Sequence, residues 1–191
     1  PAAVHRDYGE RIGRSYEIRG PRAELTQGHR LPFCAAASPG SSARGPIGEL
    51  RKFYEMLLAG GTTPPGRQLL QPSSVDLMTR RHRVGMYDET FRHTLDFGLG
   101  VIINSGRYGP RTVPYGYGER AGEDAFGHGG ARSCIAFADP QHQLVVAIVA
   151  NGYLPEPRHQ ERMRRLLAAV YDDLQVQDDP TASASHREQN E

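Results

Sequence analysis

The sequence predicts an α+β fold in which an antiparallel sheet packs against helices. Residues 46–58 carry the apolar spacing of an amphipathic helix. Two β-rich apolar runs, residues 126–138 and 144–150, are separated by an Asp-Pro turn and predict a hairpin. A second amphipathic pattern follows at once over residues 156–174. A hairpin that runs directly into a helix able to cover it is typical of α+β packing.

Length and composition place the chain among globular proteins. With 191 residues, 38% hydrophobic and 24% charged, it is large enough for one domain with a core. The formal net charge of +1 argues against a nucleic-acid partner. The longest apolar run, residues 144–150, is too short for a membrane span. No signal peptide is recognisable, and Lys52 is the only lysine.

The N-terminal segment, residues 1–43, is rich in Gly, Pro, Arg and Ser. It predicts loops with one strand near residues 15–18, packed on something outside this chain. Cys34 and Cys134 are far apart in sequence and predict buried free thiols.

The first helix has clear start and stop signals. Pro46 suits the first helical position, and Gly60 and Gly61 can supply a left-handed end. Its predicted buried face consists of Ile47, Leu50, Phe53, Tyr54, Leu57 and Leu58. A second, shorter helix is predicted over residues 72–81.

The middle of the chain predicts less regular structure. Residues 82–96 are polar and predict no regular element. In residues 97–103, Phe97, Leu99, Val101 and Ile103 alternate on one side, which indicates a strand. Residues 104–124 hold many Gly, Tyr and Pro and predict a long loop.

The C-terminal part contains the clearest strands. Residues 126–138 predict one strand, and residues 144–150, which are almost wholly apolar, predict a strand at the centre of a sheet. The last helix should bury Met163, Leu166, Leu167, Val170 and Leu174. Residues 175–191 are polar and predict a disordered tail.

The run Gly127–Gly130 is the candidate functional segment. Its glycines would let a ligand approach the backbone closely. Free N–H groups on such a strand can hold an oxygen on which negative charge develops, and His128 adds a titratable side chain. Composition alone favours the alternative interpretation, a flexible turn with a surface histidine.

The run from Phe126 to Gly130 resembles the third motif of the β-lactamase and penicillin-binding-protein superfamily, a Lys-Thr-Gly or His-x-Gly element on a strand beside the active site. His128-Gly129-Gly130 fits the His-x-Gly form of class C β-lactamase-like esterases. The likeness extends from about Ser38 to Leu174. Its other segments are Ser41–Arg44, Leu69–Met78, Phe97–Gly100, Asp139-Pro140 and Asn151-Gly152.

Two motifs of that superfamily are absent from the sequence. A Ser-x-x-Lys nucleophile would need Lys52, and the residue three positions before it is Glu49. No Tyr-x-Asn or Ser-x-Asn occurs, because Asn104, Asn151 and Asn190 follow Ile102, Val149 and Glu188 at the required spacing. The resemblance therefore implies a chain that lacks its N-terminal part and is inactive alone.

The resemblance also implies a domain organisation and a mechanism. Residues 1–174 would be the C-terminal part of a serine hydrolase domain, with an unpaired sheet edge that favours aggregation. An upstream serine would form an acyl intermediate with a small-molecule ester, amide or peptide substrate. The missing N-terminal segment would thus be a partner of this chain. The alternative is a non-catalytic pseudo-enzyme or binding module that uses the same cleft.

The resemblance assigns roles to individual residues. His128 would hydrogen-bond across the cleft, and the backbone N–H of Ala131 would complete the oxyanion hole. The predicted substrate-binding residues are Gly129, Gly130, Asn151, Tyr115 and Tyr117.

Other arrangements of functional residues are disfavoured. Ser133, His128 and Asp139 are predicted beside one strand without a nucleophile elbow, which argues against a serine triad. The histidines lack metal-ligand spacing, so His82, His93, His128, His142 and His159 are predicted to be scattered surface residues. We expect no metal and no cofactor.

Overall fold

A computed structural model describes residues 9–28, 30, 40, 43–109 and 116–174. In this part of the chain three helices, α1 (Ile47–Leu58), α2 (Pro72–Thr79) and α3 (Glu156–Asp173), pack against antiparallel strands. Short 3₁₀ turns lie at Gly9–Arg11 and Gly106–Tyr108. The predicted α+β class is therefore confirmed.

The main sheet has six strands whose spatial order follows the chain. Every neighbouring pair is antiparallel. The strands are β3 (Arg83–Asp88), β4 (His93–Phe97), β5 (Ile102–Ile103), β6 (Phe126–Gly130), β7 (Cys134–Asp139) and β8 (Leu144–Val149).

A second, small sheet joins the two ends of the described chain. Strand β1 (Tyr16–Arg19) pairs antiparallel with β2 (Arg22–Leu25) and parallel with β9 (Gly152–Tyr153). The strand predicted near residues 15–18 is confirmed. Its parallel partner lies just before α3, so this sheet ties the N-terminal hairpin to the last helix.

Helices cover both faces of the main sheet because β7 is apolar on both sides. Ala136 and Ala138 pack with residues of α1 and α2, whereas Ile135 and Phe137 pack with α3. Burying a side chain the size of Phe137 contributes about 1.5–3 kcal/mol. Strand β7 is therefore the shared centre of two apolar cores.

The helices agree with the sequence, except for the faces that α1 and α3 bury. Leu166 and Leu174, both predicted to be buried by the last helix, are 41% and 54% exposed. In α1, Tyr54, Met56 and Leu57 are buried against the sheet. Ile47, Leu50 and Phe53 are instead 38%, 39% and 43% exposed. The apolar surface of α1 is thus wider than the part that the described sheet covers.

The polar stretch predicted to be irregular forms the β3–β4 hairpin. Buried Asp96 stabilises it by accepting hydrogen bonds from the Gly85 backbone N–H at 2.8 Å and from Arg81 Nε at 2.9 Å. Arg107 also pairs with this carboxylate. A fully buried carboxylate needs such partners, and the polar residues here supply them.

Three further strand predictions are wrong in detail. The strand predicted over residues 97–103 ends at Phe97 and resumes at Ile102, with Gly100 at φ +79° in the turn between them. The strand predicted over residues 126–138 is broken by the turn 131–133. Strand β8 is the last strand of the described sheet rather than a central one.

Among the described helices, none is both long and apolar enough to cross a membrane.

Candidate functional site

A groove runs beside β6, with a volume of about 440 Å³. It brings together His128, Gly129, Gly130 and Ala131, four residues that the sequence singled out. The complete lining consists of Thr90, Phe91, His128, Gly129, Gly130, Ala131, Arg132, Cys134, Glu156 and His159.

The groove exists because β6 is paired on one side over only part of its length. Strand β5 pairs with Phe126 and Gly127 alone, whereas β7 pairs with all five residues of β6. Among the described strands, none continues β5 alongside His128–Gly130. The β5-facing backbone of these three residues is therefore a sheet edge that can bind an extended or planar ligand.

Two glycines of β6 are required by packing. A Cβ atom at Gly127 would overlap the Ala136 carbonyl oxygen and lie 2.5 Å from Phe137 Cβ. A Cβ atom at Gly130 would overlap Cys134 Sγ. The glycines thus let β6 lie close to β7 while keeping the groove clear of side chains.

His128 is exposed and its tautomer follows from one contact. Its Nδ1 lies 2.7 Å from the Gly129 carbonyl oxygen. Because a carbonyl oxygen only accepts, Nδ1 carries the proton, and the neutral ring then has Nε2 as a proton acceptor. The ring also lies 5.9 Å from that of Phe91, centroid to centroid.

Tyr54 of α1 lies behind His128. Burial raises the pKa of Tyr54 to about 12, and Cys134 adds to the increase. A hydrogen bond from the His128 backbone to the hydroxyl opposes the shift. Tyr54 is therefore a neutral phenol at pH 7 and supports the strand from the α1 side.

The turn after β6 is held from two directions. Arg132 has φ +54°, an uncommon conformation for a residue with a side chain. Its guanidinium pairs with Glu17 of β1. Its carbonyl oxygen accepts a 3.1 Å hydrogen bond from Arg162 Nη2 of α3. These contacts fix the exposed residue Ala131 just outside the β6–β7 ladder.

His159 lines the groove, although the sequence predicts it to be a surface residue. It is 4% exposed, so that prediction is wrong. The spacing signal was present, since His159 stands four residues before Met163 and eight before Leu167, on the buried face of α3. Arg162 Nη2 donates to its Nδ1 at 3.1 Å.

Two other predicted substrate-binding residues, Asn151 and Tyr117, lie outside the groove lining. Asn151 is exposed and does not line the groove, and its carbonyl oxygen accepts from the Tyr16 N–H at 2.7 Å. Tyr117 is fully buried, stacks on Phe137 at 4.6 Å and donates to the Ile102 carbonyl oxygen. Its hydroxyl and ring thus make their contacts within the core. Tyr115 lies outside the described residues.

The disfavoured alternatives gain no support from the geometry. Ser133 precedes β7 and Asp139 ends it, and the Asp139 carboxylate accepts from His142 and Tyr171. Within the described ranges no group of three or more His, Cys, Asp or Glu side chains is arranged to hold a metal. Cys134 is a free thiol, and Cys34 lies outside the described residues.

The chain resembles several solved structures over part of their length. EstCE1, a hydrolase with promiscuous acyltransferase activity, aligns with a TM-score of 0.58 and 20% identity, over 81% of this chain and 42% of EstCE1. A β-lactamase from Mycobacterium bovis aligns at 0.49 and 18%, over 63% of this chain and 41% of that one. A penicillin-binding-protein homologue from Caulobacter crescentus aligns at 0.47 and 23%, over 87% and 51%.

This chain therefore spans about half the length of these structures or less. The likeness to EstCE1 supports the α+β fold, with its open antiparallel sheet and flanking helices. No curated protein sequence matches the chain.

The family model described as Beta-lactamase matches residues 2–171. That span includes every helix and strand described above, apart from the last two residues of α3. The resemblance inferred from His128-Gly129-Gly130 is thereby confirmed, and the chain belongs to the Beta-lactamase family.

Proposed function

We propose that this chain forms the substrate-binding wall of a β-lactamase-related serine hydrolase whose nucleophile lies in polypeptide outside residues 1–191. The substrate class is a small ester, amide or peptide. The observation that carries the proposal is the edge of β6 at His128–Gly130, which no described strand covers on the β5 side and which ends at the exposed residue Ala131. The family match supports it.

In this proposal the reaction is acyl transfer to an upstream serine. The serine oxygen attacks the substrate carbonyl, and the carbonyl oxygen becomes an oxyanion between the serine N–H and the Ala131 N–H. The bond to the leaving group breaks, and the leaving group takes the proton that the serine hydroxyl gave up. Water then hydrolyses the acyl-serine ester, which releases the acid and returns a proton to the serine oxygen. Removing one oxyanion donor of this kind typically lowers kcat about 10²–10³-fold.

His128 acts on the groove side of the same strand. With its proton on Nδ1, the neutral ring accepts at Nε2 a hydrogen bond from the serine, the upstream tyrosine or the substrate. Gly129 and Gly130 keep the edge clear for the acyl group.

Intact mass spectrometry tests the chain by itself. Because the sequence has neither Ser-x-x-Lys nor Tyr-x-Asn, we expect no adduct with a fluorophosphonate or a penicillin. An adduct on any residue of this chain would contradict the proposal.

The second test uses the longest protein encoded in frame with these 191 residues. We expect Ser-x-x-Lys and Tyr-x-Asn upstream, and p-nitrophenyl ester hydrolysis that Ala131→Pro lowers about 10²–10³-fold, since proline has no N–H. Ala131→Gly keeps that donor and is the matched control. If neither motif is encoded, the binding-module alternative replaces the hydrolase.

A further inference from the structure

We propose that His159 is a specificity-determining residue, whose Nε2–H donates a hydrogen bond to a second carbonyl oxygen of a neutral substrate in the groove. The inference rests on the proposed function, because it takes the groove as the place where the ester, amide or peptide binds. It adds a donor from α3 to the backbone edge of β6.

The contact with Arg162 determines the tautomer of His159. An arginine guanidinium has only donors, so the His159 Nδ1 atom, 3.1 Å from Arg162 Nη2, must be an acceptor. Nδ1 is therefore unprotonated, and the ring proton is on Nε2. Among the described residues, no hydrogen bond to Nε2 is found, and His159 is one of the residues that line the groove.

Arg162 is itself held in place by the backbone. Its Nη1 donates to the Gly152 carbonyl oxygen and its Nη2 to the Arg132 carbonyl oxygen, each at 3.1 Å. The guanidinium thus joins β9, the turn after β6 and His159. The Nε2–H donor is therefore oriented by the same framework that positions Ala131.

The charges around His159 favour a neutral donor. Burial lowers the pKa of His159, and the positive charges of Arg162 and Arg132 lower it further, whereas Glu156 opposes the shift. The ring therefore presents one N–H rather than a positive charge to the groove. A neutral N–H group can donate to an uncharged acceptor and does not require an anion.

Glu156 narrows the substrate class further. It is exposed, begins α3 and lines the same groove as His159. Arg132, which also lines the groove, is already paired with Glu17 through two hydrogen bonds. A carboxylate ligand would meet the charge of Glu156, so a neutral amide or ester carbonyl is the preferred acceptor.

The test is NMR titration of the full chain with two probes of matched shape. N-acetylglycinamide carries a second carbonyl, and N-isobutylacetamide replaces that amide with an apolar isopropyl group. We expect His159→Leu to reduce the preference for the first probe over the second about fivefold, the effect of one neutral hydrogen bond. His159→Gln, which retains a donor, should restore part of the preference.

His82→Leu is the matched control, because His82 is exposed and lies outside the groove lining. It should leave the preference unchanged. A long-range ¹H–¹⁵N spectrum of the wild-type chain should place the His159 proton on Nε2, and this readout does not depend on any variant folding.

Two results would overturn the inference while leaving the proposed function in place. One is a ring proton on Nδ1. The other is an unchanged preference in His159→Leu while the probes still shift the backbone amides of Gly129–Ala131. If neither probe shifts those amides at its highest soluble concentration, both the inference and the proposed groove fail.

Discussion

The Arg132 guanidinium donates two hydrogen bonds to the Glu17 carboxylate, at 2.8 and 3.1 Å, and so joins residues 115 positions apart. The pair connects the turn beside Ala131 to strand β1. A bidentate arginine–carboxylate pair fixes orientation as well as distance. The geometry of the groove therefore depends on the small sheet as well as on the main one.

Glu17→Gln should lower the stability of the protein at neutral pH. It should also reduce the loss of stability that follows acidification. The hydrogen bond from Arg132 lowers the pKa of Glu17 from its ordinary value of 4.5. A lowered folded-state pKa adds stability above pH 4.5, and that stability is lost as the pH falls through the folded-state pKa. We expect thermal unfolding of the variant to depend less on pH in the acid range.

Glu89→Gln is the control for this effect, because Glu89 is an exposed carboxylate in the β3–β4 turn. It should leave the acid dependence as in the wild type. An identical acid profile for Glu17→Gln and wild type would show that the pair contributes nothing in solution.

Gly130→Ala and Gly127→Ala should both destabilise the chain, by about 1–3 kcal/mol as overpacked core positions do. The two differ in what can relieve the overlap. At Gly130 the obstacle is the Cys134 Sγ atom, and Cys134 Cβ is 3.9 Å from the added atom. Cys134→Ala should therefore rescue Gly130→Ala in urea unfolding.

At Gly127 the added atom would overlap a backbone oxygen of Ala136, so no side-chain truncation removes the clash. Cys134→Ala should not rescue Gly127→Ala, which makes this pair the internal control. Equal rescue of both variants would refute the packing explanation.

The sequence predicted the elements that can be recognised from the spacing of apolar residues within one segment. Helices α1–α3 and strands β7 and β8 carry apolar residues at the spacing that burial requires, and the glycines around His128 marked the strand of the groove. The β3–β4 hairpin was missed because its polar residues are stabilised from outside their own segment. Arg81 and Arg107 pair with Asp96 from positions that no local pattern links to it.

The sequence predicted the part of the candidate site that is formed by contiguous residues of the chain. The β6–β7 turn was missed because Arg132, rather than Gly or Asn, takes the positive φ angle. Tyr117 was expected over the cleft, yet stacking on Phe137 places it in the core. His159 reaches the groove through the packing of α3, which depends on tertiary structure.

Tyr171→Phe should lower the stability at pH 7 by about 1.5–3 kcal/mol, the range for a hydrogen bond to a charged group. The Tyr171 hydroxyl donates to the buried carboxylate of Asp139 at 2.7 Å. Burial, and then Asp139, raise the pKa of Tyr171 above its ordinary value of 10.0. The neutral phenol therefore adds stability below pH 10 that is lost as the pH rises further.

The stability difference between wild type and Tyr171→Phe should thus narrow at alkaline pH, measured by urea unfolding at several pH values. Tyr87→Phe serves as the control, since Tyr87 is exposed, and should change neither the stability nor its pH dependence. A constant difference across the alkaline range would rule out the titration of Tyr171 as its cause.

The exposed apolar stripe of α1 should make the chain self-associate. Helix α1, whose Leu50 and Phe53 are exposed, packs against β8, the last described strand of the main sheet, whose Val149 is 59% exposed. Burying a side chain such as Phe53 contributes about 1.5–3 kcal/mol, roughly a tenfold or larger change in an association constant. Phe53→Ser and Val149→Lys should each weaken concentration-dependent association in sedimentation velocity. The lysine acts because a charge on an edge strand opposes strand pairing.

Leu166→Ser is the control, at a 41% exposed position of α3, and should leave the association unchanged. A wild-type chain that stays monomeric at high concentration would count against this prediction.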